Sequence, residues 1–209
     1  MTKIYDVSIP LREGMIIYPG DAPFQREEYR RMADGASSNN SRLMMGAHTG
    51  THIDAPRHFI DGAASIEAIP PELLVGPCRV FKVEAGEAIE ASELERFDWT
   101  GVTRALFKTR NSALLSLDRF DERFVYLARS AAELLVARGI RLVGVDYLSI
   151  DRFHSPDHPA HLILLGAGVV AIEGLNLSAI EPGDYELICA PLLVVGGEAA
   201  PARVFLRQA

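Results

Sequence analysis

Three of the six histidines in this 209-residue sequence fall within eleven positions, in the run His48-Thr49-Gly50-Thr51-His52-Ile53-Asp54-Ala55-Pro56-Arg57-His58, with one carboxylate among them. Imidazoles and a carboxylate crowded this closely have the chemistry of a metal site. The mixture suits zinc or manganese better than calcium or magnesium, which prefer oxygen donors. An extended chain alternates faces and advances ~3.3 Å per residue, so His52 and Asp54 point the same way about 6.6 Å apart, a span one ion can bridge. On a straight strand His48 would lie roughly 13 Å from His52, at the limit of two metal–nitrogen bonds of ~2.0–2.1 Å. The chain must therefore bend, and Gly50 at the midpoint reaches positive φ without steric penalty. A helix would also align His48 with His52, but Gly50, two threonines and Pro56 make a poor helix, so a bent loop or strand end is expected. His58 shares the parity of His52 and Asp54 and can face the same cavity, where a general acid or base belongs. The alternative is an ordinary polar loop whose histidines bond to backbone carbonyls.

A second set of candidates lies far along the chain. Glu173 ends the apolar run Val169-Val170-Ala171-Ile172, and burying a carboxylate without a partner costs several kcal/mol. A metal, an arginine or an exposed strand end would each compensate it. Of His154, His158 and His161, the first two belong to a polar Ser-Pro-Asp-His-Pro loop and are expected in solvent. His161 opens an apolar helix and is expected to point inward.

The elements that must position these groups are legible in part. Strands are expected at Tyr5 to Ile9, at Arg42 to Met45 ahead of the histidine cluster, at Gly76 to Val83, and at Ala105 to Thr109. Further strands are expected at Arg141 to Asp146, with the acid at the tip, and at Val169 to Gly174, Glu186 to Ala190 and Arg203 to Leu206. Met15 to Asp21 carries Tyr18 into a Pro-Gly turn. Ser92-Glu93-Leu94-Glu95 and Ser130-Ala131-Ala132-Glu133 both read as capping boxes that start helices, the second ending before Gly139. A third helix runs from His158 to Gly166 with Pro159 in its first turn. Helix followed by strand predicts a mixed α/β domain spanning residues 1–209, with no internal repeat or linker.

The net charge of −7, from 21 basic and 28 acidic residues, leaves no basic stripe for nucleic acid. The longest apolar run, Leu162 to Ile172, is broken by glycines and too short to span a membrane, and the amino terminus lacks the apolar stretch of a signal peptide, so a cytoplasmic protein is expected. Cys78 and Cys189 sit in apolar surroundings and read as small buried hydrophobes.

The run from His48 to His58 matches the pattern H-x-G-T-H-x-D-x-P-x-H and resembles the putative cyclase family, which includes bacterial kynurenine formamidases and isatin hydrolases. Tyr18-Pro19-Gly20-Asp21, Gly144-Val145-Asp146, Ser149-Ile150-Asp151, Glu173-Gly174 and Pro182-Gly183-Asp184-Tyr185-Glu186-Leu187 extend the resemblance over most of the chain. The resemblance implies a swivelling β/β/α domain, its central mixed β-sheet forming a barrel-like core flanked by helices. It implies one or two Zn2+ or Mn2+ ions per subunit: His48, His52 and Asp54 hold one, and Asp54, His161 and Glu173 hold the other. It further implies catalytic His58, Tyr18 against a small-molecule substrate, and a homodimer or homotetramer.

The activity implied is metal-dependent hydrolysis of a carbon–nitrogen bond, most like an arylformamidase converting N-formylkynurenine to kynurenine and formate, with metal-activated water and a histidine acid/base. Alternatives are an isatin-type cyclic amide hydrolase, a polyketide-cyclase-like enzyme, or a metal-stabilised small-molecule binding protein. Kynurenine formamidases carry tryptophan where this chain has Tyr18, and threonine where it has Tyr147; tyrosine can still stack on a ring.

Overall fold

The computed structural model describes residues 2–117 and 119–208. Its strands are β1 (Ile4–Asp6), β2 (Gln25–Arg30), β3 (Asn40–Met44), β4 (His52–Asp54), β5 (Val75–Lys82), β6 (Ala88–Ile89), β7 (Arg104–Lys108), β8 (Tyr126–Leu127), β9 (Leu142–Val145), β10 (Val170–Glu173), β11 (Gly183–Pro191) and β12 (Ala199–Gln208). The helices are α1 (Pro71–Leu74), α2 (Ala91–Leu94), α3 (Asn111–Leu114), α4 (Arg129–Ala137) and α5 (Pro159–Gly166).

The runs of β9 and β10 are buried throughout and β7 is buried up to Lys108, and with β5 they form the parallel part of one sheet in the order β5-β7-β9-β10. Parallel neighbours need crossover connections that cover the sheet, and α4 and α5 supply that cover. Antiparallel strands close the remainder. β4 joins β10 to β12, β11 joins β12 to β5, and a closed seven-stranded mixed barrel results. The long strand β12 makes closure possible, because residues 199–201 pair with β4 while residues 202–208 pair with β11, and β1 adds to the β12 edge outside the barrel.

One core fills the barrel around Ile53, Leu106, Ile172, Leu187 and Leu206. Another lies between the sheet and α4 and α5, around Phe107, Leu135, Val143 and Leu164. A smaller aromatic cluster of Phe124, Tyr147 and Leu148, with Phe120 and Phe153, packs beside the mouth of the site.

The α/β class and the barrel-like mixed sheet agree with the sequence-based expectation, with differences at several element ends. The first strand ends at Asp6, and Ser8 then makes a lone bridge to Leu175. The strand expected at Arg42 is β3, in a separate hairpin with β2. Every residue of β2 is exposed, so its sequence carries no alternation to read.

Both serine caps are displaced. Glu90 and Glu93 form the capping box of α2, two residues earlier than Ser92 predicts. Ala128 starts α4, while the Ser130 hydroxyl donates to Glu90 at 2.5 Å and accepts the Ala91 N–H at 3.1 Å. Ser130 thus ties the start of α2 to α4 and does not cap its own helix. Pro159 occupies the first turn of α5 as expected, and Cys78 and Cys189 are buried free thiols. No helix among the described residues is long and apolar enough to cross a membrane.

Candidate metal centre and active site

Strand register brings the distant acid to the histidine cluster. In the antiparallel β4–β10 pair, His52 stands opposite Glu173 and Asp54 opposite Ala171. Directly opposed residues point to one face, so His52 and Glu173 meet there, and Asp54, two residues on, shares it. His52 Nε2 lies 3.5 Å from Asp54 Oδ1 and 3.3 Å from Glu173 Oε2. His161 in the first turn of α5 completes the group, its Nε2 being 3.5 Å from Asp54 Oδ2 and 3.2 Å from Glu173 Oε1.

The bend expected at Gly50 is present. Residues 48–51 form a turn, Gly50 has φ +69°, and the His48 and His52 rings come to 5.0 Å between centroids. His48 Nδ1 reaches Asp54 Oδ1 at 3.0 Å. A second glycine locks this turn in place. Gly174 follows β10 with φ +71°, and a Cβ there would lie 2.5 Å from the Gly50 carbonyl oxygen. Thr51 Oγ1 secures the approach by donating to Gly174 O at 2.6 Å while accepting the Ile9 N–H at 2.8 Å.

Glu173 is buried with no arginine partner. Its Oε1 accepts the Ile150 N–H at 2.7 Å, and its other neighbours are the two imidazoles. Asp54 is fully buried, yet neither of its oxygens has a hydrogen-bond partner of proper geometry, and His52 Nε2 also lacks one. Lone pairs converging without bonds at zero exposure are costly unless a cation receives them. The donor set of imidazoles and carboxylates therefore fits a divalent metal of the zinc and manganese type.

Three sets of donors lie close enough to hold an ion here: His52, Asp54 and Glu173; His48, Asp54 and His58; and Asp151, His158 and His161. The first two share Asp54, and in them His52 converges with Glu173 and His58 stands beside His48, a grouping different from the one implied by the resemblance.

The electrostatics agree with charge crowding. Burial alone would depress the His52 imidazole, but its contacts with Glu173 and Asp54 outweigh burial and raise it to about 9. For His161 burial is likewise overcome, by Asp151, Asp54 and Glu173, which hold it well above its usual value. Burial works to raise the Asp54 carboxyl, and the imidazoles of His161 and His48 bring it well below the usual range. Glu173 is raised by burial and by Asp54, yet His161 and His52 leave it lowered. His58 behaves differently: burial takes it down to about 4.

His58 reaches the cavity by a route the parity argument does not describe. It ends the 3-10 turn Pro56–His58, outside the strand, with its ring 4.1 Å from His48 and 5.6 Å from His161. The cavity has a volume of about 190 Å3, the scale of one small molecule, and Tyr18 lies on its wall. The Tyr18 ring is held edge-on by Phe120 at 5.4 Å and Phe153 at 5.7 Å. Tyr147 is fully buried behind this group, packs on Phe120 and Phe124, and accepts the Asp121 N–H at 2.8 Å, so it belongs to the core beneath the cavity.

Three residues without a role in the sequence-based reading border the site. Asp151 Oδ2 accepts from His161 Nδ1 at 2.6 Å, and its carboxylate also accepts the Ala160 and His161 N–H groups at 2.9 and 3.2 Å. It caps α5 and orients the imidazole together. The acidic residue in Ser149-Ile150-Asp151 marks its place, but only the fold shows that it meets the helix start. His158 is half-buried and lines the cavity, contrary to the expectation that it sits in solvent. His154 is exposed, as expected. Asp21, closing the Pro-Gly turn, also faces the cavity.

The model of the family described as Putative cyclase matches residues 5–152. This chain belongs to that family. It is 36% identical over 208 residues to a kynurenine formamidase of Geobacillus thermodenitrificans, covering 100% of this chain and 99% of the relative. Another kynurenine formamidase, from Salinibacter ruber, is 37% identical and covers 99% of this chain and 98% of its own length. Among solved structures, isatin hydrolase A from Labrenzia aggregata superposes with a TM-score of 0.85 at 26% identity, covering 99% of this chain and 93% of the other. Membership accounts for the shared barrel and for the run from His48 to His58.

Proposed function

We propose that this chain, a metal-dependent hydrolase acting on carbon–nitrogen bonds other than peptide bonds, cleaves an aryl formamide of the N-formylkynurenine type to an arylamine and formate. The observation that carries this reading is Asp54: a fully buried carboxylate with unbonded oxygens, facing imidazoles from two distant parts of the chain beside an aromatic-edged cavity. The formamidase names of the relatives that match end to end support an acyclic formamide over a cyclic amide.

In this reading His48, His52, Asp54, His161 and Glu173 hold one or two Zn2+ or Mn2+ ions. A bound divalent ion supplies Lewis acidity that polarises a carbonyl and makes water more acidic. Tyr18 stacks on the aryl ring and presents the formyl group to the cluster. His58, kept neutral by burial, takes a proton from the attacking water and returns it to the leaving nitrogen. Water adds its oxygen to the formyl carbon, the carbon–nitrogen bond breaks, the amine departs with the proton, and formic acid is the second product. Buried Leu148 and part-buried Phe59 give the cavity an apolar side that limits the water around the reacting atoms.

Purified protein loaded with zinc or manganese should release formate from N-formylkynurenine and lose that activity to a chelator. Isatin tested beside it is expected to turn over more slowly. Chelator-sensitive hydrolysis of isatin with none of the formamide would overturn the substrate assignment.

We also propose that the protein self-associates as a homodimer or homotetramer. The outward-facing apolar residues Leu192, Leu193, Val194 and Val195, with Leu43 and Met44 of the β2–β3 hairpin, support this reading. Light scattering after gel filtration tests it, and a monomeric mass at micromolar concentration counts against it.

A further inference from the structure

The mechanism above leaves one charged group of the cavity wall unused. Asp21 is half-buried there, and among the described residues no side chain or backbone donor bonds to its carboxylate. No lysine or arginine lines the cavity. The imidazoles of His48 and His52 pull on the Asp21 charge while the carboxylates of Glu173 and Asp54 repel it, and burial leaves its pKa raised. A carboxylate drawn part-way from water without a donor carries a desolvation cost that a cation entering the cavity would offset.

Its position relative to Tyr18 is fixed by a tight turn. The Asp21 N–H donates to the Tyr18 carbonyl at 3.1 Å, which closes a four-residue turn and keeps the two Cα atoms within about 7 Å. An aryl ring stacked on Tyr18 therefore places a short flexible substituent within reach of the Asp21 carboxylate.

We propose that Asp21 receives an ammonium group on the substrate. Resting on the formamidase reading above, this makes the substrate an aryl formamide with an amine-bearing side chain, and it sets this site apart from one built for a neutral cyclic amide. Since, among the described residues, no lysine or arginine lines the cavity to pair with a carboxylate, the chain reads the ammonium and not a carboxylate next to it. N-formylkynurenine and N-formylkynuramine, which lacks the carboxylate, should both be good substrates. 2-Formamidoacetophenone, which has no ammonium, should be poor.

The test compares kcat/KM for these three compounds in the metal-loaded wild type and in Asp21→Asn. The variant should keep its metal by elemental analysis. Its preference for either ammonium-bearing substrate over the neutral ketone should fall at least about tenfold, in line with a charge-assisted contact, chiefly through KM. Calorimetric binding of the product amines gives the same comparison without turnover: Asp21→Asn should weaken kynuramine selectively over 2-aminoacetophenone.

An unchanged preference overturns the assignment, as does loss of metal from the variant, which would place Asp21 in the service of the ion cluster. If the wild type hydrolyses none of the three, the formamidase reading falls, and the binding comparison still decides the role of Asp21.

Discussion

His58 differs from the histidines beside it in what surrounds it. His52 and His161 are pressed between carboxylates that raise their pKa values, whereas burial takes His58 down to about 4, so its imidazole is neutral through the physiological range. A neutral ring at the cavity wall can accept a proton, and in the reading above the ion is held by His48, His52, Asp54, His161 and Glu173 and not by His58. His58→Ala should therefore keep its metal and lose roughly 10²–10⁴-fold in turnover, measured by single-substrate kinetics beside elemental analysis.

Asp151 makes the opposite separation. With its charge removed in Asp151→Asn, the His161 ring loses its orienting acceptor and metal affinity should fall about 10–100-fold in competition with a chromogenic chelator. The two cysteines give a prediction with a defined sign. Burial raises both thiols to about 12, so below that pH they stay protonated and at pH 8 no thiolate forms. A maleimide should leave the native protein unlabelled at pH 8 and label both cysteines once it is unfolded.

At the level of elements, the site depends on two segments meeting backbone to backbone. Gly50 and Gly174 both have positive φ, and the carbonyl of the first occupies the space a side chain on the second would need. Gly174→Ala should cost at least ~1 kcal/mol of stability and lower metal affinity as well, read by denaturant unfolding with and without metal.

The same scale explains what the sequence disclosed. The bend at Gly50 follows from the spacing of His48 and His52, and the strand ending at Glu173 follows from a continuous apolar run closed by an acid. The partner of that acid is not readable locally, because the His52–Glu173 pairing is a register between strands more than a hundred residues apart. The serine caps failed for a related reason. Ser130 has a better partner in Glu90 across the helix pair than in its own first turn. The polar neighbours of His158 mark a loop, while its place on the cavity wall depends on ring contacts with Phe59, far away along the chain, and His161, which local composition does not encode.

Over the whole molecule, the parallel half of the barrel is the legible half. Its inner strands β7, β9 and β10 are buried on both faces and β5 alternates, so they are readable as apolar or half-buried runs, whereas β1, β2 and β4 are short, exposed or rich in polar groups. Closure of the barrel could not be read from any one segment, since it rests on β12 pairing with both β11 and β4.

The convergence on Asp54 bears on durability as well as on chemistry. Donors from β4 and the turn before it face donors from α5 and β10, so one shared ion would act as a non-covalent staple across a very long stretch of polypeptide. An ion bound only by the native state at a hundred times its dissociation constant adds about 2.7 kcal/mol. Stripping the metal should lower the melting temperature in calorimetry by several degrees, and Asp54→Asn should melt near the stripped value whether or not metal is supplied. Resistance to heat and to proteolysis would then follow metal supply, and scarcity of the ion would shorten the lifetime of the protein itself.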